Sequence, residues 1–204
     1  MRSSSWRTRC TRATSRRRRT WSRRIDALDP RSFRAEDRLR DGTPITIRAV
    51  QPEDRAHMRE AYARLSPEAI YLRLFAPKKE LTEAELTRLI EVDFEREVAL
   101  VATIGSGPQE VVIGGGRYVL TGPKGNTAAD VAEVAFTVDG RYRGQGIASR
   151  LLQHLAAIAQ EHGITRFEAE VLAENQPMLS VFARSGLAME RRREGSVVHV
   201  ALAL

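Results

Sequence analysis

The sequence predicts an α/β domain in which a mixed sheet of about seven strands carries helices on both faces. Alternating, β-branched segments interleave with segments of helical period in the order β-α-α-α-β-β-β-α-β-α-β-β, which is a sheet wrapped by helices. The 204 residues are 42% hydrophobic, enough for one domain with its own core. A single cysteine, Cys10, leaves no disulfide framework to replace that core.

The elements follow in order. "RDGTPITIRAV" opens with a turn and a strand over about 44–50. Pro52 suits a first helical position, and Glu53 and Asp54 suit the first turn of a helix running to about Leu65. Ser66 then caps a second helix with Pro67 at its start. Thr82 and Glu85, three residues apart, form a capping box for a third. "EVALVATI" and "EVVIGGGRYVL" are strands joined by "GSGPQ", and the glycine run at 114–116 predicts a bulge or a close approach to the backbone. "VAEVAFTV", 131–138, is the next strand. A long helix follows with Ile147, Leu151, Leu152, Leu155 and Ile158 on one face, closed by His162-Gly163. "TRFEAEVLA", 165–173, is a strand. Asn175 can cap the short helix "QPMLSVFARS", and two strands finish the chain, with "RRREG" (191–195) reading as their hairpin connection.

The net charge of +7 is unevenly placed. Residues 1–24 hold ten arginines and no acids, so the remaining part carries 23 basic and 26 acidic residues, a net of −3. Residues 1–35 therefore read as a disordered Arg-rich tail and 40–204 as the folded domain. The tail fits nonspecific contact with nucleic acid or an anionic surface, a targeting peptide, a start placed upstream, or plain solvation. Trp6 and Trp21 are too few for a base-stacking platform, so nucleic acid is not expected as a partner beyond such tail contacts. The four histidines, His57, His154, His162 and His199, form no ligand pair, and no metal is expected. No apolar run reaches the ~18 residues of a membrane helix. The expected setting is the cytoplasm, with no membrane partner.

The stretch "RYRGQG", 141–146, joins a strand to a helix. Unpaired N–H groups and the positive end of the helix dipole lie there, and Gly144 and Gly146 keep side chains clear, so an anion can be bound. The spacing fits neither a dinucleotide fingerprint nor a nucleotide P-loop. A solvated loop has the same spacing. In "VAEVAFTV" the one charge is Glu133, which shares a face with Ala135 and Thr137. It reads equally as a solvated glutamate or as a carboxylate in a partly desolvated cleft that takes a proton.

The strand, the Arg143–Ala148 loop, the amphipathic helix, the next strand and "ENQPMLSVFARSGL" come in one order that resembles the GNAT superfamily of N-acetyltransferases. The resemblance covers about 45–203, and the "ITIRAVQPEDRAHMREAYARL…" half is most similar to the acetyltransferase domain of bacterial protein-lysine acetyltransferases. It implies a mostly antiparallel sheet splayed between strands 131–138 and 165–173. It implies acetyl-CoA as co-substrate and an amine acceptor, a protein lysine in the first instance, with a small amine or a non-catalytic acyl-CoA sensor as alternatives. The implied cofactor-binding residues are Phe136 and Val138 on the strand, Arg143, Gly144, Gln145, Gly146, Ile147 and Ala148 in the loop, and Asn175. Glu133 is the implied catalytic base. Where many members carry a tyrosine that protonates the leaving thiolate, this chain has Phe182. Tyr71 and Arg73 fall on what resembles the acceptor side.

Overall fold

A computed structural model describes residues 29–122 and 130–204. Among them, eight strands form one sheet in the order β1-β2-β3-β4-β5-β6-β8-β7. The strands are β1 (Arg34–Arg38), β2 (Pro44–Ala49), β3 (Glu97–Ile104), β4 (Val111–Leu120), β5 (Val131–Val138), β6 (Arg166–Leu172), β7 (Ala188–Glu194) and β8 (Val197–Ala203). The helices are α1 (Arg55–Ala63), α2 (Pro67–Leu74), α3 (Glu83–Ile90), α4 (Ile147–Glu161) and α5 (Gln176–Ala183). Every neighbouring pair is antiparallel except β5 and β6, which run parallel.

The caps stand where the side chains dictate them. Ser66 accepts from the Ala69 N–H, and Thr82 and Glu85 bond reciprocally across the first turn of α3. Asn175 accepts from the Met178 N–H at the head of α5. Helices α1 and α2 lie over the face of the sheet that carries Arg117, Ala135 and Thr137. Helix α4 covers the other face, where Leu151, Leu152 and Leu155 are buried with Phe136 and Phe167.

The mixed sheet has one strand more than the seven or so expected, and the folded part begins before residue 35: Phe33 is 8% exposed and belongs to the core. The added strand β1, "RAEDR", contributes no buried residue, so hydrophobic alternation could not reveal it. Its strand character comes from pairing with β2 across a turn at Asp41-Gly42, where Gly42 has φ 91°. Residues 1–28 of the expected tail lie outside the described residues. The reading of "RRREG" as a connection is corrected: Arg191–Glu194 continue β7, with exposed side chains, and the turn is confined to Gly195 and Ser196.

The glycines of β4 meet both halves of their expectation. Ala102 pairs with Gly114 but Thr103 with Val112, so Ile113 is bulged out of register. A Cβ on Gly116 would stand 2.8 Å from the Phe136 ring and 3.1 Å from Leu155. Gly116→Ala is therefore expected to destabilise the fold by about 1–3 kcal/mol through overpacking, read as a lower urea midpoint at unchanged slope.

The hinge between β2 and α1 is ionic. The Arg48 guanidinium donates to both oxygens of Asp54 at 2.7 Å and to Glu110 at 3.1 and 3.0 Å. Burial pushes the Asp54 carboxyl up, but the bonds from Arg48 and the Gln51 N–H outweigh it and hold its pKa below the usual value. Arg48 likewise holds Glu110 down. Both folded pKa values lie below the unfolded ones, so this stability is present above about pH 4 and is lost as pH falls through the folded values. Arg48→Met strands two carboxylates and is expected to cost about 3–5 kcal/mol at neutral pH, measured by denaturant unfolding.

Candidate active site

The parallel ladder between β5 and β6 is short. It pairs Val131, Ala132 and Glu133 with Arg166, Phe167 and Glu168 and then ends. Beyond it β5 stays paired with β4 as far as Val138, so the two central strands diverge. The Val131 carbonyl accepts from Thr121 and the Asp139 N–H donates to Ile113, both on the β4 side. Odd-numbered residues of β5 thus direct their backbone groups to β4, and even-numbered ones direct theirs toward β6. Phe136 and Val138 accordingly present backbone N–H and C=O groups to the gap.

At the end of this gap lies the glycine loop. Gly144 (φ 78°) and Gly146 (φ 91°) adopt left-handed backbone, which brings the chain round into α4. Gly146 is the N-cap residue, and no side chain caps the helix there among the described residues. Ile147 and Ala148 bury their side chains in the core, and the first-turn N–H groups have no intrahelical partner. The loop is braced from β1–β2: Arg40 donates to the Gly144 carbonyl at 2.8 Å, and the Gln145 side chain accepts from the Asp41 N–H at 3.3 Å. Arg141 is committed to Asp139, at 2.7 Å.

A cleft of about 550 Å³ runs along these groups. Of the residues singled out in the sequence, Phe136, Val138, Arg143, Gly144, Gly146, Ile147, Ala148 and Asn175 all line it. Gln145 does not; it latches the loop to the β1–β2 turn. Arg40 and Arg184 add positive charge to the cleft, and sequence reasoning missed both. The Asp-Gly pair at 41–42, flanked by alternating residues, is the signal that could have marked a hairpin there. Phe182 is buried with its ring 6.1 Å from that of Phe136 and lines an inner space between β5 and β6, not the cleft itself.

The cleft opens at its inner end into a space of about 280 Å³ between β5 and β6. Phe136, Asn175, Met178, Leu72 and Arg73 line both. Glu133 and Glu170 stand at the far side of that space, and they also border a groove on the open face of β6, β8 and β7. Glu133 is therefore at the junction of the inner end of the cleft and the groove. It is exposed, so the partial desolvation expected of it is not present; its neighbours across the sheet, Val119 and Glu168, leave it uncovered. The partly buried cations near it are Arg73 and Arg117. Burial lowers the pKa of both guanidinium groups, and the charge of Glu133 opposes that shift in each.

The geometry is that of a cleft with an uncapped helix N-terminus and arginines at one end, a backbone-lined middle and a carboxylate beyond its inner end. Among the described residues no group of three or more His, Cys, Asp or Glu could hold a metal ion, and no helix is long and apolar enough to cross a membrane.

The sequence profile of the acetyltransferase (GNAT) family matches residues 56–187. Acetyltransferase Pat of Mycolicibacterium smegmatis is 35% identical over 161 residues, 78% of this chain and 46% of that protein. The chain thus spans less than half the length of Pat. The crystal structure of the GNAT domain of S. lividans PAT superposes with a TM-score of 0.77 at 38% identity, covering 84% of this chain and 97% of that one. The yncA protein of Salmonella typhimurium, solved with its cofactor acetyl-CoA, shares the fold at 17% identity and a TM-score of 0.61, over 78% of this chain and 92% of its own.

Proposed function

The chain belongs to the GNAT acetyltransferase family, and on that premise we propose that it moves an acetyl group from acetyl-CoA to the ε-amine of a protein lysine, with Glu133 as general base. The observation that carries the reading is the continuity of the site. One path leads from the glycine loop, past the free edge of β5, to Glu133 and the open groove.

The residues present suit acetyl-CoA. The uncapped first-turn N–H groups of α4, with Arg40, Arg143 and Arg184 around them, would hold the pyrophosphate. The backbone groups of Phe136 and Val138 would pair with the pantetheine arm as a strand would. Asn175 spends its carboxamide oxygen on the α5 cap and keeps its NH₂ for the cofactor. An N–H of the β5 edge would polarise the thioester carbonyl.

A lysine amine, with a pKa near 10.4, is almost wholly protonated at neutral pH. Glu133 would take its proton where the groove meets the cleft. The freed nitrogen then attacks the thioester carbonyl directly, the C–N bond forms, and the C–S bond breaks. Phe182 offers no proton to the leaving sulfur, and a thiol with a pKa near 8.5 can leave as thiolate without one. The groove bordering Glu133 encloses about 390 Å³ and is open along β8 and β7, which favours a polypeptide acceptor over a small amine. A cytoplasmic setting would bring the enzyme together with both substrates.

Incubation with isotope-labelled acetyl-CoA and a cell lysate, followed by mass spectrometry, tests this. Label on lysine side chains of proteins supports the reading, whereas label confined to small amines shifts the acceptor class.

A further inference from the structure

We propose that the donor site also accepts a short dicarboxylic acyl-CoA, with Arg73 receiving the terminal carboxylate of the acyl group. The proposal rests on the reading that the cleft binds an acyl-CoA.

Helices α1 to α3 do not pack tightly onto the sheet. They leave an apolar cavity of about 170 Å³ walled by Met58, Leu65, Ile70 and Leu74 and floored by Ala135 and Thr137. A cavity of roughly 150 Å³ lined by apolar side chains is large enough for a benzene-sized guest. The small residues of the floor belong to the strand whose free edge faces the cleft.

Arg73 connects the cavity to the reaction path. It lines the apolar cavity, the space between β5 and β6, and the cleft. It is partly buried, and among the described residues its side chain makes no hydrogen bond and no ion pair; Glu133 is the carboxylate whose charge acts on it. The other charged groups facing the cavity are engaged. Arg117 pairs with Glu97. Asp139 is held by Arg141 at 2.7 Å and by Arg64 at 3.3 Å.

A guanidinium remains protonated in proteins, so burial cannot be relieved by losing a proton. Its donors have no partner among the described protein groups and face solvent in the cleft, so they stay unpaired there until an anion arrives. A purely apolar acyl tail would fill the cavity, displace water from Arg73 and leave its donors unpaired. A carboxylate on a short methylene spacer pairs them, with the spacer against the apolar wall and the charge on Arg73. The pyrophosphate is not the anion required, because the glycine loop and Arg40 serve it at the other end of the cleft. The transfer balances as for acetyl: the amine nitrogen bonds the acyl carbon, CoA leaves as thiolate, and the amine proton passes to Glu133.

The test is calorimetric titration of the full chain with CoA, acetyl-CoA, butyryl-CoA and succinyl-CoA, independent of any acceptor. Succinyl-CoA should bind about ten- to a hundredfold more tightly than butyryl-CoA, the usual scale of a charge-assisted hydrogen bond. Arg73→Met should erase that preference, and Arg73→Lys should keep part of it. Equal affinity for the two four-carbon thioesters in the wild type overturns the proposal without needing a variant to fold. So does an equal loss for all four ligands in Arg73→Met, which would make Arg73 a general cofactor contact. Absence of binding by CoA itself overturns the parent reading as well, so failure of succinyl-CoA alone isolates this one.

Discussion

Glu133→Gln is expected to lower turnover by about 10²–10⁴-fold, the usual worth of a positioned general base, while acetyl-CoA binds as before. Binding should survive because Glu133 lies outside the cleft that holds the loop, Val138 and Arg143; it borders the inner space and the open groove. The amide keeps the shape of the carboxylate, and an exposed position makes a folding defect an unattractive explanation of any loss. The deficit should narrow as pH rises toward the pKa of the amine, where solvent has already removed the proton. The measurement is a pH–rate profile of both proteins at saturating cofactor with one lysine peptide. Near wild-type turnover of the variant at pH 7 would remove Glu133 from the mechanism.

Gly144→Glu should abolish measurable acetyl-CoA binding. The loss should be at least about a hundredfold, because the substitution sets bulk and a like charge beside the phosphates. A Cβ at this position meets nothing within 4 Å, so the side chain would project freely where the cleft begins. Its carboxylate would occupy the positive end of α4, where the pyrophosphate is expected. The backbone φ of 78° adds strain for any L side chain. Gly144→Asn separates the two effects, because asparagine tolerates left-handed backbone and brings no charge. Titration calorimetry should show Asn binding and Glu failing at similar melting temperatures. Wild-type affinity in a folded Glu variant would move the pyrophosphate elsewhere.

Much of the site was legible from local sequence because it is built by local devices. The Gly144–Gly146 turn into α4 and the Ser66, Thr82 and Asn175 caps each depend on residues within a few positions of one another, and each stands as the sequence predicts. Alternation in "VAEVAFTV" put Glu133, Ala135 and Thr137 on one face without reference to any neighbour. Clustering of the cleft residues also followed, since strand, loop and helix are contiguous.

What the sequence could not contain is how distant segments meet. Strand β1 has no apolar stripe and exists by its ladder to β2, so periodicity passed over it. Arg40 reaches Gly144 across 104 positions, and Arg73 comes to line three cavities only because α2 packs over β5. The exposure of Glu133 is of the same kind. A strand pattern assigns a side chain to a face, but whether a helix covers that face is decided by where the helices run out. On the face that carries Glu133, α1 to α3 cover β3 to β5 and leave the β6 to β8 groove uncovered, so the glutamate at their edge stays in water. Local backbone preference determined the elements and their caps; long-range packing, which no short window of sequence encodes, decided the environment of each functional side chain.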